Sequence, residues 1–105
     1  MNEFHLKMEQ LSADYRATVA ADLRLLREQA DALCGDERDR TSLQQMACTL
    51  HRIAGGAGVF GMDRLSERAQ GLEFDVNDWL AASLADGYRD MLPDLRASLA
   101  TLSAD

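Results

Sequence analysis

Leu50-His51-Arg52-Ile53-Ala54-Gly55-Gly56-Ala57-Gly58-Val59-Phe60-Gly61 carries a histidine and then four glycines through a segment whose apolar residues keep a helical period. Each glycine inside a helix costs about 1 kcal/mol relative to alanine, so helix formation alone does not account for Gly55, Gly56 and Gly58. The pattern implies a surface kept free of side chains. Upstream, Leu43, Met46 or Ala47, Leu50, Ile53 or Ala54, Ala57 and Phe60 recur at spacings of three and four. This predicts one helix over 40–60, capped by Asp39 or Thr41 and ended by Gly61 in the left-handed conformation.

The same period, followed outward, predicts four more helices. Phe4, Met8 and Leu11 suit a short helix over about 2–10, lying as a lid across the end of a larger assembly. Ser12 can cap a long helix over about 12–34, whose stripe Val19, Leu23, Leu26, Ala30 and Leu33 stops at Gly35. Met62, Leu65, Ala69 and Leu72 predict a helix over about 63–74, with Asp63 as its cap. Phe74-Asp75-Val76-Asn77-Asp78 reads as a break that caps a last helix over about 78–102, kinked at Pro93. Short connections between helices of this length predict an all-α, antiparallel up-and-down four-helix bundle with a short N-terminal helix as lid, in a single domain spanning 1–105.

Composition agrees with that class. In 105 residues, 47% hydrophobic residues fill one core and not two. The net charge is −7, and of the eleven basic residues only Lys7 is a lysine. No basic stripe clusters anywhere, which argues against nucleic acid or an anionic membrane as partner. Cys34 and Cys48 are too few for a disulfide framework, and no apolar run is long enough for a signal peptide or a membrane span. A soluble, cytoplasmic monomer is expected.

His51 lies about 100° round the helix from Leu50, off the centre of the apolar stripe. Its column at helical spacing is Gln44, Cys48, His51, Gly55 and Gly58, so the imidazole stands over small neighbours where another backbone can approach. If the two helices flanking Gly61-Met62 form an antiparallel hairpin, residue 51 comes opposite residue 73, which is Glu. A carboxylate that accepts a hydrogen bond from Nδ1–H fixes the tautomer, leaving Nε2 unprotonated and nucleophilic. Other readings of the stretch fare worse. Gly56-Ala57-Gly58-Val59-Phe60-Gly61 satisfies G-x-G-x-x-G, but it follows a helix and sits in no βαβ unit. Cys48 and His51 could share a metal, yet no second ligand pair with zinc spacing accompanies them, so no metal site is expected.

The residues His51-Arg52-Ile53, Gly55-Gly56-Ala57-Gly58, Phe60-Gly61, Leu65, Ala69 and Leu72-Glu73 resemble the histidine phosphotransfer (HPt) domains of bacterial phosphorelays. Within that group they are similar to the phosphorylated N-terminal domain of chemotaxis histidine kinases. The resemblance implies that His51 is the phosphoacceptor, taking a phosphoryl group from an aspartate of a response-regulator receiver and passing it to another receiver, and that Glu73 orients it. Cys48, Arg52, Ala54, Gly55 and Gly58 would form the docking surface. The chain departs from the family pattern at Ala54, where lysine is common. The resemblance further implies no cofactor in this chain, with Mg²⁺ in the partner receiver, and a receiver or hybrid histidine kinase as partner. The chain has room for no ATP-binding domain, so a phosphohistidine carrier and not an enzyme is expected. Two alternatives follow: an adaptor that binds a receiver without phosphotransfer, and a domain phosphorylated directly by a chemotaxis-type kinase.

Overall fold

The computed structural model describes residues 3–82, 84 and 87–103, which form four α-helices. They are α1 (Glu3–Asp31), α2 (Arg40–Val59), α3 (Asp63–Ala81) and α4 (Tyr88–Ala100), with one 3₁₀ turn at Glu37–Asp39. The helical bundle expected from the sequence is present, but two of its boundaries differ.

The first difference is at Ser12. No separate lid forms: the helices expected over 2–10 and 12–34 are one continuous helix, α1. The segment contains neither glycine nor proline, and Phe4, Met8, Leu11 and Tyr15 extend the stripe without interruption into Val19. Ser12 is a cap only where the chain breaks, and nothing here breaks it. The first three turns therefore project beyond the bundle, with Phe4 69% exposed and Leu6, Met8 and Leu11 also exposed.

The second difference is at Phe74–Asp78, where α3 continues to Ala81 instead of ending near residue 74. Val76 is fully buried and extends the stripe Leu65, Ala69, Leu72, while Asp75, Asn77 and Asp78 face solvent. The polar residues that resemble caps are the outer face of the same helix. The last helix starts at Tyr88, not 78, after Gly87 in the left-handed conformation, so Pro93 falls in its second turn. The expectations placed on residues 2, 83, 85 and 86 lie outside the described residues.

The core joins all four helices. Val19 and Leu26 of α1, Leu43, Met46, Leu50 and Ile53 of α2, Val76 of α3, and Leu99 of α4 with the following Leu102, are its largest fully buried side chains. Burying such side chains gives about 1.5–3 kcal/mol each. Helices α2 and α3 pair through a tight turn in which Gly61 takes φ +77° and the Met62 N–H donates to the Ala57 carbonyl at 2.8 Å. This is the left-handed C-terminal motif predicted for Gly61. Helices α1 and α4 tie each other's ends. Arg27 donates to the carbonyls of Leu99 and Leu102 at 3.2 and 2.6 Å, and Arg96 donates to those of Ala30 and Leu33 at 3.0 and 3.1 Å. Each arginine adds a charged donor to carbonyls at or just beyond its partner helix's C-terminal end, where the regular helical bonds run out.

Asp39 stands before α2 as expected of a cap, but its side chain makes no bond to that helix. The buried carboxylate instead accepts from the backbone N–H groups of Cys34 and Gly35 at 2.8 and 2.7 Å and from the Tyr88 hydroxyl at 2.7 Å. Burial alone would raise its pKa; the donors from Cys34, Tyr88 and Gly35 outweigh burial and hold it below the usual aspartate value. Burial and the same carboxylate push the Tyr88 phenol up. One side chain thus pins the α1–α2 connection to the start of α4.

Candidate functional site

The antiparallel α2–α3 pair brings residues 51 and 73 together as the hairpin register predicts. His51 Nδ1 lies 2.9 Å from Glu73 Oε2. An ionised carboxylate can only accept, so this contact places a proton on Nδ1, and in the neutral ring the Nε2 lone pair is then free. The His51 side chain is 80% exposed, whereas that of Glu73 is largely covered. The ring thus presents Nε2 to the outside while its other nitrogen is held by the protein.

The surface around the ring comes from α2 and its two neighbours. On the α3 side a shallow, mostly apolar groove is lined by Gln44, Cys48, Asn77 and Leu80 beside His51 and Glu73. On the α1 side a second groove runs past Leu25, Gln29, Gln45, Cys48 and Arg52. Cys48 is a free, exposed thiol on the ridge between them. Among the described residues no group of three or more His, Cys, Asp or Glu could hold a metal ion.

The three glycines separate by what surrounds them. A Cβ on Gly55 would meet nothing within 4 Å, and one on Gly58 would make an ordinary contact with Ser66 Oγ at 3.6 Å. A Cβ on Gly56 would land on the Tyr15 ring. That ring lies over α2, stacked on Phe60 with centroids 4.7 Å apart, and its hydroxyl donates to the Ile53 carbonyl at 3.2 Å. Gly56 is therefore required by the packing of α1 on α2, while Gly55 is required by no atom of the described residues. The sequence reading missed Tyr15, although its place one turn beyond Leu11 in the apolar stripe was the available signal.

Of the expected docking residues, one is buried and another is engaged by α1. Ala54, contrary to expectation, is 5% exposed and its carbonyl accepts from Ser66 Oγ at 2.7 Å, so its methyl faces the core and offers no docking surface. Its position one turn on from His51 lies under the α2–α3 contact. Arg52 is exposed, but its guanidinium is held by the Asp22 carboxylate of α1, Nε at 3.3 Å and Nη2 at 3.1 Å. Gly55, Gly58 and Cys48 are exposed, on the side of α2 that carries His51.

No helix among the described residues is long and apolar enough to cross a membrane. Comparison with curated proteins and with solved structures gives no match. The model of the Hpt domain family matches residues 10–105, nearly the whole chain. With its histidine and carboxylate so paired on a helical bundle, the chain belongs to the Hpt domain family, the phosphocarrier modules that act in histidine phosphotransfer with receiver domains and histidine kinases in two-component signalling.

Proposed function

We propose that this domain is a phosphorelay intermediate that accepts a phosphoryl group on His51 Nε2 from a receiver aspartate and returns it to the aspartate of another receiver. The observation that carries the reading is the Nδ1 contact with Glu73 at 2.9 Å on a ring that is otherwise exposed. In the forward step the Nε2 lone pair attacks phosphorus, the N–P bond forms, and the acyl P–O bond breaks with its electron pair returning to the aspartate carboxylate. The Nδ1 proton stays between imidazole and Glu73, which offsets the positive charge that develops on the ring. Charge on the transferring oxygens is countered mainly by Mg²⁺ and cations of the receiver. Cys48, Gly55 and Gly58 belong to the surface on which the receiver sits.

The test incubates the protein with a phosphorylated receiver carrying labelled phosphate, beside His51→Gln. Acid-labile label on the wild type and none on the variant is expected; no label on the wild type would favour an adaptor, and labelling by kinase and ATP alone would favour the kinase-substrate reading. Glu73→Ala is expected to slow labelling about tenfold or more, the worth of one charge-assisted hydrogen bond in the transition state, with receiver affinity little changed. Unchanged kinetics would remove Glu73 from the mechanism.

A further inference from the structure

A phosphoryl group on His51 adds close to two negative charges beside a carboxylate that is already there. Among the described residues, the two grooves along this face of α2 offer a single cation. The groove on the α3 side is lined by Gln44, Ala47, Cys48, Asn77 and Leu80 besides His51 and Glu73, and contains none. The groove on the α1 side contains one, Arg52. Because Nδ1 is taken by Glu73, the group stands on Nε2, the ring nitrogen that Glu73 leaves open.

Arg52 follows His51 directly, about 100° further round α2, and its long side chain, once released from Asp22, is free to turn back across that angle. Its guanidinium is exposed and occupied by Asp22, whose side chain is 17% exposed. With the guanidinium itself open to solvent, the pair is weak enough to be exchanged for a dianion. A planar guanidinium also binds phosphoryl oxygens in the same two-pronged way as it binds a carboxylate.

Resting on the reading of His51 as phosphoacceptor, we propose that Arg52 is the counter-charge of the phosphorylated state, parked on Asp22 until the phosphoryl group arrives and then transferred to it. Asp22 is thereby a competitor that sets how tightly the group is held. The pair is not merely a staple between α1 and α2, and the two views separate experimentally. A staple is lost equally when either partner is removed. A parked counter-charge makes Asp22 act only through Arg52, so the shift caused by Asp22→Asn disappears in an Arg52→Gln background, where through-space charge alone would leave it in place.

The experiment labels the protein chemically with phosphoramidate, which needs no receiver, and follows the ³¹P resonance of the phosphohistidine as pH is varied. The charged groups involved are Glu73 of α3, paired with His51, and Asp22 of α1, paired with Arg52. Relative to the wild type, Arg52→Gln is expected to raise the second phosphoryl pKa by about half a unit or more, Asp22→Asn to lower it, and Arg52→Lys to stay nearer the wild type than Arg52→Gln. Circular dichroism confirms that each variant is folded. Identical titrations for all four proteins, or an Asp22→Asn shift that persists unchanged beside Arg52→Gln, would overturn the counter-charge while leaving His51 as acceptor. Absence of any resonance that His51→Gln lacks would overturn both.

Discussion

Gly55 and Gly56 are adjacent in α2, yet the two faces they occupy answer to different demands. Gly56 lies under Tyr15 of α1, where the stacked ring of Phe60 and the hydroxyl bond to Ile53 leave no space for a methyl group. Gly55 lies on the open face with His51, where a methyl group would touch nothing. The inner face is shaped by what the chain packs against itself, the outer by what it leaves bare. A run of glycines is therefore not one feature, and its members must be assigned singly.

The contrast breaks most visibly at Gly56. Gly56→Ala is expected to cost about 3 kcal/mol in urea unfolding, because overpacking must displace Tyr15 and with it the α1–α2 contact. Adding Tyr15→Ala should recover part of that loss, and the coupling between the two substitutions is the quantity to measure. Strictly additive effects would mean that the ring is not what excludes the methyl.

The inner face has a second dependence at its other end, on Asp39. Asp39→Asn is expected to lower stability by about 2 kcal/mol at pH 7, since the amide cannot replace a carboxylate that accepts from Cys34, Gly35 and Tyr88. The folded carboxyl has a lowered pKa, so its contribution is fully present above the ordinary aspartate value and is lost as pH falls through the folded value. The gap in melting temperature between wild type and Asp39→Asn should accordingly narrow below about pH 4. A gap independent of pH would show that ionisation of Asp39 is not what holds the junction.

On the outer face the expected stability effect is smallest and opposite in sign. Gly55→Ala should stabilise the protein by about 0.5–1 kcal/mol, from helix propensity with no clash. If that face receives a receiver, the same substitution slows phosphotransfer. A variant that is more stable and equally fast would mean the bare position serves no partner.

Much of the fold and of the site is legible in the amino-acid order. Apolar residues at spacings of three and four carry their own period, so the helical class, the long α2 and the left-handed Gly61 follow from the chain itself, and the hairpin register from Gly61 sets Glu73 opposite His51. Signals that depend on context mislead. Ser12 and Asp75-Asn77-Asp78 have the chemistry of caps, but a capping side chain acts only where the backbone has already left the helix, and here α1 and α3 run through.

The sequence by itself determined the all-helical class and the pairing of a histidine with a carboxylate, because both rest on periodicity within or across one tight turn. Only the tertiary structure decided that Ala54 faces the core, that Asp39 turns back to Tyr88, that Arg52 is held by Asp22, and that Gly56 clears Tyr15 while Gly55 clears nothing of its own. Each of these depends on which side chain of a distant helix arrives within contact distance, and that is set by packing of the whole core and not by local spacing.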